Sequence, residues 1–140
     1  MENQGFIGIK LVDSKDNTVN NNEIITQGKS GTGILLERSD NNEISGNKIL
    51  STEQIELLNN LFKDVQTLKS TVPNEVVYLL ENLEKEIDNV RNAKQDSLLN
   101  KAHKLSETIT NILTLGTEKA PQIVATLAPY IMSVLQSFGG

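Results

Sequence analysis

Residues 8–24 and 33–49 carry one pattern written twice. GIKLVDSKDNTVNNNEI and GILLERSDNNEISGNKI align at an offset of 25, and seven of seventeen positions are identical: Gly8/Gly33, Ile9/Ile34, Leu11/Leu36, Ser14/Ser39, Asn17/Asn42, Asn22/Asn47 and Ile24/Ile49. Val19/Ile44 is a conservative eighth. This repeat constrains the fold more than any other feature, because a unit of this size cannot bury its own apolar face and must stack on its neighbour.

Within each copy the aliphatic residues alternate, Ile9 with Leu11 and Ile34 with Leu36, which places them on one face of a strand. Between such runs stand Ser, Asp, Asn and Gly, which tolerate left-handed backbone and hydrogen-bond nearby main chain, so they predict corners. Three short strands joined by corners make one coil. A second coil stacked in parallel register would set Ile on Ile and lay Asn17 over Asn42 and Asn22 over Asn47 as amide ladders that satisfy their own donors and acceptors.

The wording GI-x-L followed by S-x-x-N-x-V/I-x-x-N-x-I resembles the right-handed parallel β-helix repeat of carbohydrate-binding proteins and sugar hydrolases, a family that includes the nitrous-oxide-reductase accessory proteins. The resemblance covers about residues 5–50. It implies a β-helix fold and makes carbohydrate binding one functional expectation. The family's enzymes use many coils and a long groove, whereas this chain shows two repeats.

Composition changes near residue 51. Six of the nine glycines precede that point, and the remainder of the chain reads as helix. The expected fold is therefore α+β, with a short two-coil right-handed parallel β-helix over 1–50 and an antiparallel four-helix module over 51–140. The net charge of −5 divides as −2 and −3 between these parts, and neither concentrates Lys or Arg, so nucleic acid is not an expected partner. There is no cysteine. The opening MENQGFIGIKLV has Glu2 where a secretory leader carries positive charge, and Lys10 and Asp13 interrupt its apolar run, so the expected compartment is the cytoplasm.

Ser51 and Gln54 have the spacing of a capping box. A first helix then runs to about Ser70 with Ile55, Leu58, Leu61, Phe62, Val65 and Leu68 on one face, and Pro73 suits the first turn of the next. Val76, Leu80, Leu83, Ile87 and Val90 make the seam of a second helix, and Leu98, Ala102, Leu105, Ile109 and Ile112 that of a third, as antiparallel bundle packing requires. Glu81, Glu84, Lys85, Glu86, Asp88 and Arg91 fall off the second seam, on an expected solvated face. Gly116 ends the third helix, and a fourth runs from Pro121 to about Phe138. From Ala120 to Gly140 there is no charged residue. That length satisfies the criterion for a membrane span, but Gln122, Thr126, Ser133, Gln136, Ser137 and an interior Pro129 point to a bundle or partner helix instead. Its candidate partner or membrane face is Ile123, Leu127, Ile131, Val134 and Phe138.

Other motifs fail on spacing. QGKSGTG lacks the first glycine of a Walker loop, where Glu23 stands, and Gly31 and Gly33 lack the third glycine of a dinucleotide fingerprint, where Leu36 stands. Asp13, Asp16, Glu37 and Asp40 are the carboxylates that could converge beside the coils, and a two-coil platform is too short to hold an oligosaccharide between them. His103 is the only histidine and cannot build a zinc site alone. The terminal Gly139-Gly140 reads as a frayed helix end. No cofactor, metal or catalytic residue is expected.

A two-coil stack leaves a strand edge at each end, and such edges invite another chain. The helical module can cover the edge after Leu50. The edge of Ile7, Ile9 and Leu11 is expected to lack a covering segment. The expected function is a non-catalytic assembly module, a homo-oligomer joined through this edge, with the helical module docking a protein partner or completing the oligomer. Alternatives are a membrane-acting effector that uses the fourth helix and a small carbohydrate-binding protein.

Overall fold

The computed structural model describes residues 7–27, 32–116 and 118–139. The first six residues, residues 28–31 of the QGKSGTG loop, Thr117 and Gly140 lie outside them. The chain forms two compact units, Met1–Ile55 with Lys94–Asp96, and Glu56–Ala93 with Ser97–Gly140.

The first unit holds six short strands: β1 (Ile7–Val12), β2 (Thr18–Asn20), β3 (Glu23–Thr26), β4 (Thr32–Glu37), β5 (Glu43–Ser45) and β6 (Lys48–Ser51). They pair in parallel as β1 with β4, β2 with β5 and β3 with β6. Ile9 lies beside Ile34, Val19 beside Ile44 and Ile24 beside Ile49, so the pairing register is the sequence offset. Two successive three-strand circuits are thus laid one on the other.

The backbone repeats as well as the side chains. Positive φ occurs at Asp13, Asp16 and Asn21 in the first circuit and at Arg38, Asn41 and Gly46 in the second, each pair 25 residues apart. Arginine is an uncommon left-handed residue. Arg38 holds that corner with Asp13, its Nε and Nη2 donating to the two carboxylate oxygens at 2.6 and 3.1 Å, and this pair, then Glu37, raises the guanidinium pKa. Gly8 and Gly33 are glycine for a steric reason, since a Cβ would lie 2.4 Å from Ile24 Cγ2 at the first and 2.6 Å from Ile49 Cδ1 at the second. Among the described residues the buried apolar ones of this unit are few: Val19, Ile24 and Leu50. Leu36 is exposed, whereas Ile34, Ile44 and Ile49 are half-buried.

The second unit is built by α1 (Thr52–Lys69, which starts in the first unit), α2 (Asn74–Arg91), α3 (Gln95–Gly116) and α4 (Pro121–Phe138). The capping box closes as expected: Gln54 N–H donates to Ser51 Oγ at 3.1 Å, and Ser51 N–H donates to Gln54 Oε1 at 2.9 Å. Pro73 caps α2 from just outside rather than occupying its first turn, while Pro121 does stand inside α4. Leu58, Leu61 and Val65 of α1, the whole α2 seam, Ala102 through Ile112 of α3, and Ile123, Leu127 and Val134 of α4 form one apolar core. Arg91 with Asn59 and Lys69 with Glu84 set α1 antiparallel to α2, and Tyr130 with Asp64 together with Gln122 on the Thr71 carbonyl set α4 antiparallel to α1.

Glu86 departs from expectation. It is buried, with Lys104 Nζ 3.8 Å from its carboxylate, because it follows Leu83 by three positions and precedes Val90 by four and so flanks the seam. Glu84 is half-buried and takes an ion pair from Lys69 at 2.8 Å.

Candidate functional site

The circuits are joined at their corners by side chains that act in one direction. Ser39 Oγ accepts the Ser14 N–H (3.0 Å), Asn42 Oδ1 accepts the Asn17 N–H (2.9 Å) and Asn47 Oδ1 accepts the Asn22 N–H (3.1 Å). Asn42 and Asn47 also donate to the carbonyls of Ser14 (3.3 Å) and Val19 (3.0 Å). Amide-to-amide bonding, expected at both corners, is present for Asn22 and Asn47 at 3.0 Å, whereas Asn42 grips main chain instead. Peptide groups are the better partners here, since each corner would otherwise leave a partly buried N–H unpaired.

In the first circuit the same three side chains have no such duty. Ser14 Oγ donates to the Val12 carbonyl, Asn17 Nδ2 to that of Lys15, and Asn22 Nδ2 to that of Asn20. Among the described residues, Ser14 Oγ, Asn17 Oδ1 and Asn22 Oδ1 accept nothing. Among the same described residues β1 pairs with β4 alone. Of the expected edge residues, Ile7 is 43 % exposed, while Ile9 and Leu11 are half-buried.

The far end of the stack differs. Between circuits, the Lys48 N–H donates to the Asn22 carbonyl at 2.8 Å, and one circuit further on the Asn47 carbonyl receives the Gln95 N–H at 2.7 Å. Gln95 therefore stands where the amide of a third circuit would stand. Sequence reading missed this residue, because Gln95 lies outside the repeat and nothing in its local composition marks it.

Charges on the circuits alternate in sign. Asp13 lies beside Arg38, and Glu23 lies 3.7 Å from Lys48. Glu37 joins Lys10 at 3.3 Å and Arg38 at 2.9 Å, and Asp16 accepts from the Asn41 side chain. Of the carboxylates considered as a catalytic set, Asp13 and Glu37 share the Arg38 guanidinium and Asp16 is held by Asn41, and among the described residues no three such groups come together. A shallow open depression of about 450 Å³ lies at this corner, lined by Asp16, Asn17, Thr18, Asn41, Asn42 and Glu43.

The residues proposed as a partner or membrane face of α4 serve the unit's own core. Ile123, Leu127 and Val134 are fully buried in it, and Ile131 and Phe138 pack against it. What α4 shows outward is Ala125, Pro129, Met132 and Gln136. Among the described residues no helix is long and apolar enough to cross a membrane. His103 is exposed on α3.

Parallel strands paired at a constant offset, with Asn and Ser corners, define a stacked-repeat protein. Residues 1–93 match the family described as periplasmic copper-binding protein (NosD), and the chain belongs to that family. No curated protein and no solved structure matches the chain. The family is periplasmic, which overturns the cytoplasmic expectation. That expectation rested on charge in the first twelve residues, a feature that does not report the compartment.

Proposed function

We propose that the chain is a non-catalytic accessory module whose first six strands form a two-coil right-handed parallel β-helix, and that its β1 edge is an assembly surface. The handedness follows the general preference of parallel strand crossovers. The observation that carries the assembly reading is the unequal pair of ends: the Asn47 carbonyl is capped by Gln95, whereas among the described residues β1 pairs with β4 alone and no donor meets the three corner acceptors of its circuit. An unpaired strand edge is a template for another strand. The helical unit, with the uncharged outward residues of α4, is the surface proposed for a protein partner.

The family description names copper, and the residues here do not fit a copper centre. Copper takes imidazole, thiolate or thioether ligands. The chain has no cysteine, one histidine and two methionines, and among the described residues no group of three His, Cys, Asp or Glu side chains could hold a metal. Sugar binding also lacks support, since no aromatic residue lies between Ile7 and Ile55 to stack on a pyranose ring.

The reading is tested by giving the edge a coil covalently. A chain extended ahead of Ile7 by residues 32–51 followed by residues 27–31 supplies one more repeat in register. Its strand unit should melt about 4 °C higher or more, the effect of roughly 1 kcal/mol in a small domain. An unchanged or lower midpoint would show that the edge is not built to take a coil.

A further inference from the structure

We infer that α4 pairs with α4 of a second copy of this chain, antiparallel about a twofold axis that passes between Ala128 and Pro129. The inference rests on the reading of α4 as a partner surface and names the partner. The outward residues are Pro121, Ala125, Pro129, Met132 and Gln136, with half-buried Ala128 beside Pro129. These positions are symmetric about the point midway between Ala128 and Pro129, so the twofold sets Pro121 against Gln136, Ala125 against Met132 and Ala128 against Pro129. A contact between identical surfaces has to be self-complementary in this way. The pairing also sorts sizes, because Met132, 59 % exposed, meets the small side chain of Ala125, and each projecting methionine finds its recess on the other copy.

Charge selects both the partner and the direction. Asp, Glu, Lys and Arg make up 22 % of the chain, yet none lies between Ala120 and Gly140, so two copies can meet along α4 without setting like charges together. The helix ends give the direction. α1 and α2 each carry an acid in the first turn and a base in the last, Glu53 with Lys69 and Glu75 with Arg91, and α4 has neither. Antiparallel pairing sets each end of this uncompensated dipole beside the opposite end of the partner. It also lays the Gln136 amide against the partner's first turn, where main-chain N–H groups lack intrahelical acceptors. The 18 residues of α4 span about 27 Å, and a strip of that length and about 20 Å wide, reaching half across the flanking helices, buries roughly 1,000 Å² in all. That area lies at the low end of specific interfaces, so the dimer dissociates at about micromolar concentration or above.

The chain has no cysteine, so single introduced thiols report the pairing without interference. Ala125→Cys and Met132→Cys lie on the exposed side of α4, seven residues apart, and leave its core positions untouched. Under mild oxidation of the full-length proteins, a mixture of the two variants should form disulfide-linked dimers about tenfold faster or more than either variant alone, because only unlike positions face each other. Ala125→Glu should weaken self-association in sedimentation by about tenfold or more, with the helical circular dichroism unchanged. Fast cross-linking of each variant with itself would mean parallel helices; the inference then fails while α4 remains a partner surface. Equally slow cross-linking in all three samples, with a monomer in sedimentation at roughly 200 µM, would overturn the inference and remove α4 from the partner reading as well. A dimer that survives Ala125→Glu and is lost with Ile7→Lys would also overturn it, placing self-association at β1 and leaving that edge as the assembly surface.

Discussion

The two units are held together by different means. Beyond residue 55, eighteen buried apolar residues from all four helices and their connections share one core, and polar contacts decorate its margin. In the strand unit, the buried apolar residues among those described are Val19, Ile24 and Leu50, and the circuits are fastened by side chains reaching main-chain groups. Apolar burial is non-directional and tolerates local repacking. Hydrogen bonds from fixed corners are directional, so they specify register and also leave a record of which end of a stack is finished.

The largest expected effect lies in the helical unit. Leu127→Ala, at a fully buried position of α4, should cost about 2–5 kcal/mol as cavity formation does, read as faster hydrogen exchange throughout the helices. A loss below about 1 kcal/mol would mean that α4 is not integral to that core.

Asn47→Ala is the corresponding test of the strand unit. Asn47 is 2 % exposed, and its loss orphans the Asn22 N–H and the Val19 carbonyl, for about 2–3 kcal/mol. Exchange should rise at β2, β3, β5 and β6 with the helices unaffected. If the helices loosen equally, the two units do not unfold separately and the contrast between them fails. Gly33→Ala comes next, at about 1–2 kcal/mol, because its Cβ would press on Ile49. Thermal melts of the strand unit measure it.

Tyr130 gives the smallest effect. Burial, and then the hydrogen bond its hydroxyl donates to Asp64 at 2.5 Å, raise its pKa above the ordinary phenol range. The folded state thus holds this proton more tightly than the unfolded state, and the associated stability is complete below the unfolded value, about 10, and is lost as pH rises through the folded one. Tyr130→Phe should therefore flatten the alkaline decline of helical stability and leave the strand unit unchanged. Identical alkaline profiles for the two proteins would remove Tyr130 from that role.

What the sequence made legible follows from where each interaction is encoded. The strand register was readable because Gly, Ile, Ser and Asn recur at one offset and each recurrence does the same physical job, as Gly8 and Gly33 show against Ile24 and Ile49. Ser51 and Gln54 were readable because a capping box is local. Arg38 in a left-handed corner was not, since its own preference opposes that conformation and the compensating carboxylate of Asp13 lies a full circuit away. Glu86 was misread because a two-residue seam alternation treats flanking positions as solvent. The Gln95 cap, on which the candidate site depends, comes from a segment with no repeat character, so only the folded chain reveals it. Of the site itself, the edge residues Ile7, Ile9 and Leu11 were readable, and the three open corner acceptors were hidden until the direction of the hydrogen bonds was known.

The corners act in one direction, and among the described residues the first circuit's acceptors are unused. Asn17 and Asn42 are the same residue one repeat apart, which makes them the direct test. Asn42→Ala removes an acceptor from the Asn17 N–H and a donor to the Ser14 carbonyl, whereas Asn17→Ala removes only a local bond to the Lys15 carbonyl. Measured by denaturant unfolding of the strand unit, Asn42→Ala should be more costly than Asn17→Ala by about 1 kcal/mol or more. Equal costs, or a greater cost at Asn17, would contradict the account by showing that Asn17 is already engaged and the first face is not open.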